Sequence, residues 1–174
     1  MGMILSIEDF ETGRYKIALD PEQETDLDEY IDKVEDEYLP KLFGKELYDL
    51  FVIDWNTIPV GVPTDARFSM VYDAFVEQND NVLIQSLGIK EMLKGFVYYL
   101  FLRDDVTRST TLGLEKMVGE NVQSVTAIQH DITSRYNEGV DTFTTIQYYI
   151  DFFTPKAFEY PEFKGVQIPY ANIF

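Results

Sequence analysis

The chain has 174 residues, 45% hydrophobic and 15% aromatic, and its 14 basic against 31 acidic residues give a formal net charge of −17. That length suits one domain able to bury roughly 70% of its unfolded surface, and that charge excludes recruitment by phosphate neutralisation or by anionic membrane surfaces. Cysteine is absent, which removes disulfides, thiolate nucleophiles and Cys-based zinc or iron–sulfur sites together.

Residues 1–9 carry neither the basic region nor the apolar run of a signal peptide, so export is not expected. Met1-Gly2 with Ser6 fits the minimal myristoylation pattern, and reads as readily as a remnant ahead of a start at Met3. Residues 14–19 suggest a brief extended piece. Asp20-Pro21 then supplies an N-cap and a proline at the first helical position. Leu27, Tyr30, Ile31, Val34 and Tyr38 recur at three- and four-residue steps. Opposite them stand Glu22, Glu24, Asp26, Asp28, Glu29, Asp32, Glu35, Asp36 and Glu37. The pattern predicts a helix over 21–39 with one buried stripe and one solvated acidic face. Pro40 lacks an amide donor and is expected to start a second helix ending near Phe51, with Gly44 one turn inside it. Pro59, Gly61 and Pro63 make 56–64 a loop.

Thr64 is read as the cap of a third helix over 65–76, on which Phe68, Val71, Tyr72, Phe75 and Val76 share helical spacing, with 77–81 as its polar end. The most apolar stretch, 86–106, contains Leu87, Met92, Leu93, Phe96 and Val97. It is too short, and too closely bracketed by Lys90, Glu91, Lys94, Arg103, Asp104 and Asp105, to cross a bilayer. It reads as a central helix buried on most sides. Residues 107–125, rich in Thr, Ser and Gly, suit an extended excursion or hairpin carrying Leu112, Leu114, Met117 and Val118. From near Thr126, Ile128, Ile132, Tyr136, Val140, Phe143, Ile146, Ile150 and Phe153 mark a long helix despite Gly139, and Pro155 ends it. Phe158, Tyr160, Phe163, Tyr170 and Phe174, interleaved with Pro161 and Pro169, form a tail that cannot be helical throughout. The expected fold is mainly α. It is a helical bundle over 1–153 with a long loop or β-hairpin excursion between the last two helices, and an extended C-terminal arm over 154–174.

No catalytic constellation emerges. His130 is the single histidine and reads as a surface residue on the polar face of the long helix. Asp26-x-Asp28-Glu29 and Asp104-Asp105 lack the glycine turn and terminal glutamate of a calcium loop, and a solvated acidic face accounts for them. Leu42-Phe43-Gly44-Lys45 is the nearest fragment to a phosphate cradle and lies in a helical pattern. The expectation is a protein without cofactor, metal site or enzymatic activity. Two features exceed what a self-contained domain needs: the 107–125 loop and the aromatic tail. The tail is read either as a strap on its own core or as an arm that docks on a partner.

Tyr38-Leu39-Pro40-x-Leu42-Phe43-Gly44-Lys45-x-Leu47-Tyr48, preceded by the acidic helix, resembles the head-to-tail connector, or neck adaptor, proteins of tailed bacteriophages. Those of phages of gut Bacteroidetes, including the crAss-like kind, are the nearest in pattern. Leu87-Gly88-Ile89-Lys90-x-Met92-Leu93-x-Gly95-Phe96-Val97-Tyr98-Tyr99, followed by Arg103-Asp104 and a Thr/Gly-rich loop, is a second point of resemblance, and the long helix with Tyr136-Asn137 a third. The resemblance covers most of 20–153. It implies a structural virion protein of the neck, assembled in the host cytoplasm as a homo-oligomeric, commonly dodecameric, ring beneath the portal protein. The ring would extend the DNA channel, without specific DNA binding and without a membrane, and offer a platform to tail or further neck proteins. By the same analogy the arm, through Phe158, Tyr160, Phe163, Tyr170 and Phe174, would grip the portal. Leu112, Leu114, Met117 and Val118 would contact a neighbouring subunit or the channel. Carboxylates suit a channel that DNA must traverse without sticking. The competing reading is an acidic DNA mimic that blocks a nucleic-acid-binding protein, motivated by charge alone. A metal-dependent hydrolase is disfavoured by the missing His/Asp/Glu cluster.

Overall fold

The computed structural model describes residues 2–19, 21–57, 61–79, 82–106, 109–110, 113–114, 125–153 and 159–171. Among these residues there are five α-helices: α1 (Pro21–Phe43), α2 (Lys45–Trp55), α3 (Ala66–Tyr72), α4 (Ile89–Val106) and α5 (Val125–Phe152). Two antiparallel hairpins accompany them, β1 (Phe75–Asn79) with β2 (Val82–Ser86) and β3 (Ser109–Thr110) with β4 (Gly113–Leu114). The mainly helical class and the hairpin between the last two helices agree with the sequence reading.

The acidic helix forms as its pattern predicts, burying Leu27, Ile31, Val34 and Tyr38, but its end is displaced. Pro40 does not start a new helix; it lies in the last turn of α1, and the break falls at Gly44. Pro40 forfeits a single rung near a helix end, while continuing to Phe43 buries Leu39, Leu42 and Phe43 completely. The Gly44 amide closes the last turn on the Pro40 carbonyl at 2.9 Å. Gly44 itself has φ 76° and ψ 158°, a backbone region open in practice only to glycine, and this turns the chain into α2.

Three further boundaries differ from expectation. Residues 13–15 form a 3-10 turn rather than an extended piece, because Tyr15 folds inward to meet the Tyr98 ring edge-on at 5.8 Å. The cap of α3 is Asp65, whose carboxylate accepts the Arg67 amide at 2.9 Å; Thr64 is instead held by the Asp54 carboxylate. The third helix stops at Tyr72, and 75–86 become a hairpin with Asn79 opposite Val82 and Phe75 opposite Ser86. Phe75 buried and Val76 exposed is a period-2 pattern that helical spacing of the same residues concealed.

At the centre α4 packs along α5. Ile89, Met92, Leu93, Phe96, Val97 and Phe101 are buried, while Tyr98, Tyr99, Leu100 and Leu102 are half-covered. The two backbones approach at Gly95 and Gly139: a Cβ on Gly95 would stand 2.7 Å from the Arg135 carbonyl oxygen, and one on Gly139 2.8 Å from the Phe96 ring. Gly139, a helix weakener by propensity, is what lets these helices touch. Tyr38 stacks on Phe96 at 4.4 Å, and Tyr136 packs against both Phe96 and Tyr99, so α1, α4 and α5 share one aromatic core.

Candidate interaction surfaces

The described part of the C-terminal segment lies as a strap on the chain's own core. Residues 159–171 run without regular structure across the end of α1 and along α5. The last carbonyls of a helix need partners from outside it, and here the strap supplies them. Val166 N–H donates to the Lys41 carbonyl at 2.7 Å and Lys164 N–H to that of Phe43 at 3.2 Å. The buried Gln147 side chain of α5 donates to the Lys41 and Leu42 carbonyls at 3.1 Å and accepts from Gln167 at 2.9 Å. Further along, Asn137 exchanges two hydrogen bonds with the backbone of Ala171, and Tyr136 donates to the Pro169 carbonyl.

The proposed arm anchors therefore separate. Tyr160 is core: its hydroxyl donates to the Arg67 carbonyl at 2.6 Å, and burial pushes that hydroxyl well above the ordinary tyrosine range. Phe163 is half-buried against the core. Tyr170 is exposed, its hydroxyl on the Asp141 carboxylate at 2.6 Å. Phe158 and Phe174 lie outside the described residues. Of the loop residues, Leu114 ends β4, opposite Ser109, whereas Leu112, Met117 and Val118 also lie outside the described residues. His130 is exposed on α5, as read from the sequence.

Sequence reasoning missed Glu35 and Gln147. Glu35 was grouped with the acidic face, yet it is only 4% exposed. Its two carboxylate oxygens accept the backbone amides of Met3 (2.5 Å), Ile4 (2.9 and 3.1 Å) and Leu5 (2.7 Å), tying the N-terminal segment to α1. Burial raises its carboxyl above the usual range, and the amides pull the other way without overcoming it. The signal was present: Glu35 stands four residues from both Ile31 and Leu39, on the buried stripe.

Two cavities open to the surface. One, about 310 Å³, is lined by Met3, Asp32, Glu35, Asp36, Tyr48 and Val52; its most buried carboxylate is already committed to backbone amides. The other, about 190 Å³, lies between Tyr38, Tyr99, Arg103, Tyr136 and the strap at Pro169–Ala171. Among the described residues no group of three or more His, Asp or Glu could hold a metal ion, and no helix is long and apolar enough to cross a membrane.

Among the described residues a further surface feature is apolar. On the outward face of the β1–β2 hairpin, Val76 is 61% and Leu83 65% exposed, and on α5 Tyr148 is 40% and Phe152 66% exposed. Phe75, on the hairpin's inner face, packs against Tyr149 of α5 at 4.8 Å, and β2 lies against the same helix. No protein-family model, curated protein or solved structure matches this chain.

Proposed function

We propose that this chain is a structural connector of a tailed-phage neck, assembling as a homo-oligomeric ring beneath the portal. The observation that carries the reading is the ordered motif set in the sequence. Its first member, 38–48, is the α1–α2 corner turned at Gly44, and its second, 87–99, is the half of α4 that packs on α5. A small helical domain that leaves large apolar side chains such as Ile53, Leu83 and Phe152 exposed suits a subunit completed by neighbours, since a heterologous contact repeated about an axis closes into a ring without a leftover edge. The acidic surface of α1 suits a component near passing DNA.

The test is the mass of the purified full chain by light scattering, alone and mixed with its cognate portal. A ring, or a complex that forms only with portal, supports the reading. A monomer indifferent to the portal overturns it and favours the acidic mimic. Because Tyr160 and Ile168 are part of the core, deleting the whole arm would damage the fold as well as any contact. Tyr170→Ala is the cleaner probe: weaker portal binding at unchanged mass supports a role for the strap surface, and unchanged binding removes that role while leaving the ring intact.

A further inference from the structure

Residues 3–5 hang from a single side chain. Among the described residues their amides make no backbone–backbone hydrogen bond. All three donate instead to the Glu35 carboxylate, Met3 and Ile4 to Oε2, Ile4 and Leu5 to Oε1. The chain just beyond is held separately: Ser6 N–H donates to the Asp9 carboxylate at 3.1 Å, Asp9 pairs with Lys90 and Lys94 of α4, and Phe10 is buried completely. Ser6 therefore divides a segment fastened by one carboxylate from a segment fastened by packing and ion pairs.

Glu35 is 4% exposed, and no lysine or arginine among the described residues pairs with it. The titratable groups around it are Asp32 and Asp36 on its own helix, Tyr48 of α2 and Tyr72 of α3. Both tyrosine hydroxyls are raised by burial and stay neutral, and residues 3–5 bring no titratable side chain. Ionised beneath the closed segment, Glu35 is a buried anion beside the Asp32 carboxylate, with amides but no cation to offset its lost hydration. Protonated on Oε2, it gives up the Met3 bond, keeps Ile4 and Leu5 on Oε1, and buries no charge. Burial and Asp32 accordingly hold its carboxyl above the ordinary range. The cavity of about 310 Å³ opens beside it to the surface, so water and protons reach the carboxylate without wider unfolding.

We propose that residues 3–5 are a latch that opens about Ser6 while the rest of the fold stays closed, fastened when Glu35 is protonated and loosened when it ionises. Opening uncovers Ile4 and Leu5, buried in the closed chain, and Ile31, on which Gly2 rests. The device thus converts a rise in pH into exposed apolar surface on α1. Its sign follows from the proton count: opening hands Glu35 to water, where a glutamate titrates near about 4.3, and the closed form titrates higher. Between the two values the closed form holds more protons, so the opening equilibrium grows by up to about tenfold per pH unit across that window and levels above it. The proposal does not depend on ring formation.

The test is amide hydrogen exchange of the full chain by NMR, from about pH 4 to 8, corrected for the intrinsic rate at each pH. Protection at Ile4 and Leu5 should lie at least about tenfold below that of Phe96 in α4 and Val140 in α5, and should fall through the window before levelling. In Glu35→Gln, protection at the same two amides should no longer follow pH. Protection at Ile4 and Leu5 equal to that of Phe96 and Val140 would overturn the proposal, because the segment would then open only with the whole fold. A native profile flat with pH would overturn it too, as would the native slope persisting in Glu35→Gln. Should that variant fail to fold, the native profile alone decides.

Discussion

Along the flank of α5 that carries Asn137 and Gln147, the chain covers itself: the strap caps the carbonyls of α1, and both amide side chains are fully engaged. On the flank that carries Tyr148 and Phe152 the hairpin lies close by, yet large apolar side chains are left to solvent. The difference separates surface that stabilises this molecule from surface that does not. A buried polar group that loses its partner incurs its full desolvation penalty, so the strap flank is sensitive to single atoms. An exposed leucine or phenylalanine contributes little to folding, so substitution there should be tolerated.

Breaking the strap flank should have the largest effect at Gly44. A Cβ there would stand 2.7 Å from the Lys164 backbone, in a conformation that other residues avoid. Gly44→Ala should cost about 3 kcal/mol or more in urea denaturation, combining backbone strain and overpacking. Next comes Gln147→Leu, which keeps the volume but strands the Lys41 and Leu42 carbonyls of their side-chain donor. Its expected cost is about 2 kcal/mol by the same measurement.

Glu35→Gln sharpens the comparison through pH. Burial raises the Glu35 carboxyl in the folded state, so between its unfolded value of about 4.3 and its higher folded value the folded chain holds more protons. Stability from this group is therefore full below that window and declines as pH rises through it. The substituted side chain does not titrate, so the variant's stability relative to the native chain should improve as pH rises through that window. A flat difference between the two denaturation profiles would contradict this.

The smallest effect belongs to the other flank. Leu83→Ser and Phe152→Ser should each change stability by less than about 0.5 kcal/mol in the same denaturation series. A loss comparable to that of Gln147→Leu would show that the hairpin flank is also structural and erase the contrast.

Much of the architecture was legible in local pattern. The stripe from Leu27 to Tyr38 and the long run from Ile132 to Phe153 announced α1 and α5, because a 3.6-residue period over several turns has few other causes. The hairpin at 75–86 was not legible in that way, since Phe68, Val71, Tyr72, Phe75 and Val76 satisfy helical spacing before the chain switches to period two. The candidate surfaces were only partly visible. An aromatic, proline-rich tail signals adhesion without saying to what, and the structure directs Tyr160 and Ile168 to the chain's own core. Leu83 and Phe152 gave no sign in sequence that they stay uncovered.

What the sequence determined by itself is therefore helical content, the acid-bearing face of α1, and the absence of thiol chemistry, all of which follow from residue type and short-range period. Only the tertiary structure decided that α1 runs through Pro40 to Gly44, that Glu35 fastens the N-terminal segment, and that Gln147 joins the strap to α1. Each of these depends on partners at least 20 residues away along the chain. A contact at that range is chosen by which buried polar groups can be satisfied together, a condition that no local window contains.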